Sequence, residues 1–220
     1  MKTDTAQGRT YTVDGYDYPF VSVTTVLNCA SKPFLYAWYG KVGNAEAKRI
    51  STESKEIGSK VHTYIEQRLG NVPTDKLPEN CLQAGLNADL FLETIGPCST
   101  DCLGEETVHS AKYGYAGTLD RLMYINGKLT LLDWKTSNSI SDEYIMQVNA
   151  YYQALKKIQK DGKIELPGKI EQVGIVRLDK KKEFDYDKDV VFQKPNKKAF
   201  KAFLGLLDYY NNKDFNKKEK

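Results

Sequence analysis

The sequence predicts an α/β fold, a central mixed β-sheet flanked by helices with a helical N-terminal section ahead of it. Three observations predict it. Ile57, Val61, Ile65 and Leu69 recur every fourth residue, the spacing of one buried helix face. After residue 105 the pattern changes to short apolar runs of strand length, interrupted by a long helical stretch. Between two of those runs stands Asn126-Gly127, the dipeptide best suited to a two-residue hairpin loop, because both positions must accept positive φ.

The elements follow in order. Arg9 to Val13 and Tyr16 to Tyr18 flank Asp14-Gly15, which predicts a small N-terminal hairpin. From Ser22 to Leu69 the pattern is helical, with Pro33 suited to a first helical turn. Gly58, His62 and Glu66 form the row beside the apolar one. Another helix is expected from Glu79 to Ile95, stopped by Gly96-Pro97. Glu105 to His109, Tyr115 to Ile125 and Lys128 to Lys135 read as strands, followed by a helix from about Ser141 to Gln159. Strands near Ile170 to Leu178 and Glu183 to Gln193 precede a last helix from Asn196 to about Tyr210. The expected organisation is a hairpin and helical section over 1–100, a sheet-containing core over 101–211 and a basic tail over 212–220, in one compact domain.

Composition narrows the class. The chain has 220 residues, with 32 basic and 29 acidic side chains and a net charge of +3. Its 40% apolar content suffices for a packed core. No apolar run reaches the roughly 18 residues that a membrane span needs. Residues 1 to 20 carry neither a signal-peptide core nor an Arg-rich transit pattern, so the protein is expected to stay in the compartment where it is made. Cys29, Cys81, Cys98 and Cys102 are too few and scattered for a disulfide scaffold and are read as reduced thiols. Residues 194 to 220 hold eight lysines against Asp208, Asp214 and Glu219. That imbalance fits either a polyanion ligand or a solvated terminus.

The chemistry is legible in one turn. A two-residue loop at Asn126-Gly127 pairs residues whose numbers sum to 253, which sets Asp120 opposite Asp133 with Cβ atoms about 5 Å apart. Lys135 projects from the same face, two residues on, opposite Thr118. Like charges facing each other at the end of a leucine-rich hairpin must be neutralised. Either Lys135 bridges them, or a divalent cation does, since carboxylate oxygens are the preferred ligands of Mg²⁺.

These residues belong to a longer pattern. It comprises PFVSVTTVL near the start, GSKVH on a helix, a Glu-initiated strand, GTLD, LLDWKTS, and Gln-x-x-x-Tyr on the following helix. The pattern, from about Pro19 to Leu178, resembles the RecB-like branch of the PD-(D/E)xK nuclease superfamily. Within that branch it is most similar to the mitochondrial genome maintenance exonuclease and related phage and bacterial exonucleases.

The resemblance implies a restriction-endonuclease-like core and a Mg²⁺- or Mn²⁺-dependent DNA exonuclease, acting on single strands or exposed duplex ends in recombination, repair or replication. It makes Asp120 and Asp133 metal-binding carboxylates and Lys135 the catalytic lysine. His62 and the Trp134 carbonyl become further metal ligands. Glu105 is the strand-opening glutamate, with Glu106 directed to the opposite face. Gln147 and Tyr151 flank the site. A structure-specific endonuclease of the same fold and a non-catalytic nucleic-acid-binding module are the alternatives. With no cysteine beyond Cys102, the iron-sulfur cluster of some relatives is not expected.

The implied partners are DNA and a single-strand annealing or binding protein, with no membrane. The implied location is the cytoplasm of a prokaryotic or phage-infected cell. His109 is expected to be an ordinary strand residue. Phe34, Tyr36, Trp38 and Tyr39 suit either core packing or base stacking. Lys41, Lys48, Arg49, Lys55 and Lys60 give the same helical region a basic character suited to phosphates.

Overall fold

The computed structural model describes residues 1–5, 8–96 and 103–213. Cys98, Cys102 and the tail from residue 214 onward lie outside the described residues. The hairpin at Asn126-Gly127 is formed as expected, with Asn126 at φ 50° and Gly127 at φ 75°. It joins β6 (Arg121–Ile125) to β7 (Lys128–Lys135), and every pair from Arg121↔Leu132 to Ile125↔Lys128 keeps the predicted register.

β7 is the centre of the molecule. Residues Leu129 through Trp134 are all buried, as a strand covered on both faces must be. Its second neighbour is β8 (Gln172–Arg177), paired in parallel from Thr130↔Gln172 to Lys135↔Arg177. A parallel pair needs a crossover, and α5 (Asp142–Lys160) supplies it. β9 (Val190–Gln193) closes a four-stranded sheet of order β6-β7-β8-β9.

A second sheet has five strands, ordered β1-β2-β3-β5-β4: Lys2–Thr5, Gly8–Tyr11, Phe20–Ser22, Tyr115–Leu119 and Glu106–Ser110. β3 runs parallel to β5, so this sheet is mixed too. The α/β class is therefore as expected, but the single sheet divides in two where β5 ends and β6 begins, at Asp120.

Alternation along β7 sorts the core into two layers. Leu129 and Leu131 join Val148, Tyr151 and Leu155 of α5, Val26 of α1 (Val23–Leu27), and Phe203 and Leu207 of α7 (Lys197–Asn212). Leu132 and Trp134 face the other way. There they meet Ile57, Val61 and Ile65 of α3 (Asn44–Leu69) and Ala84, Ala88 and Phe91 of α4 (Glu79–Ile95). The every-fourth-residue row of α3 is thus the buried one, and it covers the sheet face opposite α5.

Two sequence expectations are corrected here, and the core-packing alternative for the aromatic cluster is not met. Tyr16 to Tyr18 is not a strand. The partner of β2 is β3, in the register Thr10↔Val21, and Tyr16 instead packs edge-on against Phe20 (5.1 Å) and His109 (5.5 Å). Glu183 to Gln193 is not one strand, because a short helix α6 (Tyr186–Asp189) precedes β9. Asp189 accepts from the backbone N of Asp185 at 2.9 Å and from Arg177 Nε at 2.8 Å, side-chain bonds that outcompete a ladder. Finally, α2 (Pro33–Val42), which holds the aromatic cluster, buries none of its residues, and Phe34 and Tyr36 are exposed.

Phe91 ties the helical section to the sheet, fully buried with its ring 5.6 Å from Trp134 and 6.1 Å from Phe184. Phe91→Ala is expected to lower the unfolding free energy by about 3–5 kcal/mol in urea titrations. A loss below about 1 kcal/mol would show that α4 does not pack on β7 in solution.

Candidate active site

The two sheets part at Asp120, and the gap becomes a cleft of about 1050 Å³. Beyond Leu132 the edge of β7 that faced β6 is left without a ladder partner. Asp120 fills that place with its side chain, Oδ2 accepting the buried Trp134 N–H at 2.8 Å. The expected cross-strand pairing of Asp120 with Asp133 is therefore corrected: the ladder begins at Arg121↔Leu132, and Asp120 meets β7 through its carboxylate.

α3 approaches the same edge from the other side. His62 Nε2 lies 3.2 Å from the Trp134 carbonyl oxygen, and Nδ1 lies 3.5 Å from Asp120 Oδ1. Glu105, just ahead of β4, joins them. One ligand-capable atom each from His62, Glu105 and Asp120 lies within 4.8 Å of the others. Glu105 lines the cleft, as its expected role requires, and Glu106 does not.

Asp133 stands beside this group. It shares the α5 face of β7 with Lys135, and the two form an ion pair. Gln147 of α5 donates to Asp133 Oδ1 at 2.8 Å and, from the same nitrogen, to Tyr151 OH at 3.1 Å. The expected residues are thus brought together in two clusters. Glu105 is with His62 and Asp120, while Asp133, expected among the metal ligands, is held by Lys135 and Gln147. Tyr151 is packed so closely over β5 that a Cβ at Gly117 would lie 2.3 Å from its Cε1.

Electrostatics distinguish the two aspartates. Burial pushes Asp120 up, but His62, Lys135 and the Trp134 N–H outweigh it and hold the carboxyl below its ordinary value. Burial pushes Asp133 up to about 6, with Asp120 adding to the rise and Lys135 opposing it. For Lys135, burial favours the neutral amine, yet the two carboxylates prevail and raise its pKa. Burial likewise works against protonated His62, and Asp120 reverses the balance. His109, as expected, is a strand residue packed against Tyr16 and Phe20.

Among the residues lining the site, Tyr11, Tyr144, Lys2 and Lys180 went unread in the sequence. Lys55 was read as suited to phosphates, and Thr118 was expected opposite Lys135 but pairs with Thr107 of β4. Tyr144 places its ring 5.0 Å from Lys135 Nζ. Tyr11 OH and Thr118 Oγ1 are 3.1 Å apart in the cleft wall. Lys180 reaches Ser54 at 3.2 Å, and Lys2 and Lys55 also line the cleft. Lys180 had only a local signal, the Asp-x-Lys spacing around it, which recurs along the chain by chance. The others depend on contacts between segments far apart in sequence.

No protein-family model matches the chain, and no curated protein matches it. Among solved structures, the crystal structure of SSO0001 is similar over 88% of this chain and 76% of that one, at 16% identity and a TM-score of 0.41. No described helix is long and apolar enough to cross a membrane.

The Asp133 environment has a measurable consequence. A carboxyl whose folded pKa, about 6, exceeds its unfolded 3.8 contributes full stability only below 3.8 and loses it as pH rises through 6. With EDTA present, Asp133→Asn is expected to be more stable than the parent at pH 8. The gain is on the order of 3 kcal/mol, at about 1.4 kcal/mol per pH unit between the two values. The difference should close as pH falls from 6 towards 4. Urea unfolding across that range checks it, and a less stable variant at pH 8 would show that Lys135 more than offsets the burial of the charge.

Proposed function

We propose that this chain is a divalent-metal-dependent deoxyribonuclease of the RecB-like PD-(D/E)xK type. It would hydrolyse phosphodiester bonds from the ends of single-stranded DNA or from exposed duplex ends. One observation carries the reading: ligand-capable atoms of His62, Glu105 and Asp120, drawn from three separate segments, converge within 4.8 Å beside the Asp133–Lys135 ion pair in a cleft.

The donor set fits Mg²⁺ or Mn²⁺, being carboxylate oxygens with one imidazole and the Trp134 carbonyl within reach. When bound, such an ion withdraws charge from the phosphodiester and acidifies an attacking water. Lys135 supplies the complementary role. Its raised pKa keeps it a cation at neutral pH, so it acts as a charged donor to a phosphate oxygen rather than as a base. Gln147 fixes the Asp133 carboxylate, and Asp133 with the Tyr144 ring fixes the ammonium. Lys2, Lys55 and Lys180 offer further positive charge to the phosphates of a strand lying in the cleft. The exposed Phe34 and Tyr36 suit stacking on unpaired bases.

The test is degradation of end-labelled linear single-stranded DNA with Mn²⁺, with EDTA, and with Lys135→Ala. Short labelled products that disappear in EDTA and fall about 10²- to 10³-fold in the variant are expected. Cutting of circular single strands would point to an endonuclease. Binding without cleavage of any substrate would leave a nucleic-acid-binding module.

A further inference from the structure

Directly behind the His62–Glu105–Asp120 group stands a second set of residues, each adjacent in the chain to a member of the first. Glu66 follows His62 by one helical turn of α3, Arg121 follows Asp120, and Gly104 precedes Glu105. Arg121 Nη1 donates to Glu66 Oε2 at 3.2 Å, and the two side chains are only 12% and 29% exposed. The backbone of Gly104 lies against the pair. A Cβ there would come within 3.0 Å of Glu66 Oε2 and 3.2 Å of Arg121 Nη1. Leu103 fixes that backbone in turn, exchanging hydrogen bonds with Leu122 at 3.2 and 2.9 Å.

Three chain segments therefore meet at one ion pair. Among the described residues, buried Glu66 Oε1 and Arg121 Nε take no hydrogen bond, so this single contact is the polar link between α3 and the start of β6. Nothing else in the arrangement requires an ion pair here, since a buried pair of this kind is weak as a source of net stability. Its geometric consequence is direct: it sets the distance from α3 to Asp120 and, through Gly104, the approach of Glu105.

We propose that the Arg121–Glu66 ion pair, roofed by Gly104, is a positioning clamp that holds His62, Glu105 and Asp120 at metal-binding separation. The inference rests on the reading of those three residues as a divalent-cation site. Arg121 and Glu66 are positioning residues and touch neither metal nor substrate.

The test uses Mn²⁺ alone, titrated into the full-length protein and followed by electron paramagnetic resonance, with circular dichroism reporting the fold. Charge and position predict opposite results for Arg121→Met. Deleting a nearby cation should by electrostatics tighten Mn²⁺ binding. Loss of the clamp should weaken it, by 10- to 100-fold as for other residues that orient ligands from behind. Weakening in Arg121→Met, with partial recovery in Arg121→Lys, is the expected result.

Gly104→Val changes no charge and adds a branched side chain where a single Cβ would already lie within 3.2 Å of both partners. It is expected to weaken Mn²⁺ severalfold by displacing the pair, and it decides the matter if Arg121→Met does not fold. Parent-like or tighter binding in Arg121→Met, or in Gly104→Val if that variant decides, overturns the clamp and leaves the metal site standing. A parent protein that binds no Mn²⁺ overturns both.

Discussion

One hydrogen bond governs the arrangement of the site: the Asp120 carboxylate accepting the Trp134 N–H at 2.8 Å. It lies where β5 and β6 diverge. A buried backbone N–H at that point would otherwise lack a partner, at a cost of about 1–3 kcal/mol. By replacing a strand neighbour with a side chain, the chain can split its sheet and still satisfy the exposed edge of β7. The split opens the cleft, and the second oxygen of Asp120 faces His62 at its mouth. The cleft and the buried carboxylate at its wall thus arise from the same departure from ladder pairing.

Trp134 links that edge to the rest of the molecule. Its ring is buried against Phe91 on the α3–α4 side, its N–H is taken by Asp120, and its carbonyl faces His62. Flanking it, Asp133 and Lys135 point to the opposite face, towards Gln147 and Tyr144 of α5. The two-residue period of one strand therefore distributes three consecutive residues between a hydrophobic anchor and an ionic cluster. A one-residue slip would exchange the two, burying the charges beneath α4, and the Asn126-Gly127 turn fixes the register against it.

Much of this was legible because it is local. The hairpin register follows from two turn residues, the face of α3 from the spacing of Ile57, Val61 and Ile65, and the limits of α4 from its apolar period and Gly96. The legibility ends where partners are distant in sequence. The register rule placed Asp120 opposite Asp133 but could not show that the strands separate there, since the turn residues carry no sign that Asp120 meets β7 through its carboxylate. Tyr16 to Tyr18 had strand composition, yet Tyr16 packs against His109, some ninety residues away, a contact that local composition does not show. For Glu66 the helical row beside His62 gave a position, and only the fold shows that Arg121 meets it.

The distribution of charge explains why so polar a site can exist in a packed interior. Glu66, Glu105, Asp120 and Asp133 lie near one another, balanced by Arg121, Lys135 and His62. Four carboxylates in a closed core would largely protonate, since desolvation and mutual repulsion both favour the neutral acid. Their separation into pairs limits this. Lys135 takes Asp133, Arg121 takes Glu66, and His62 with the Trp134 N–H takes Asp120. Glu105 is left exposed to the cleft. What remains uncompensated is burial at two of these carboxylates, which pushes Asp133 up to about 6 and holds Glu66 above its ordinary value despite Arg121. Burial thus bears on the carboxylates that face Lys135 and Arg121, while the carboxylate that closes the sheet edge stays ionised. The two aspartates are therefore unequal: Asp120 is committed to the edge of β7, and Asp133 carries the cost of burying an ion pair.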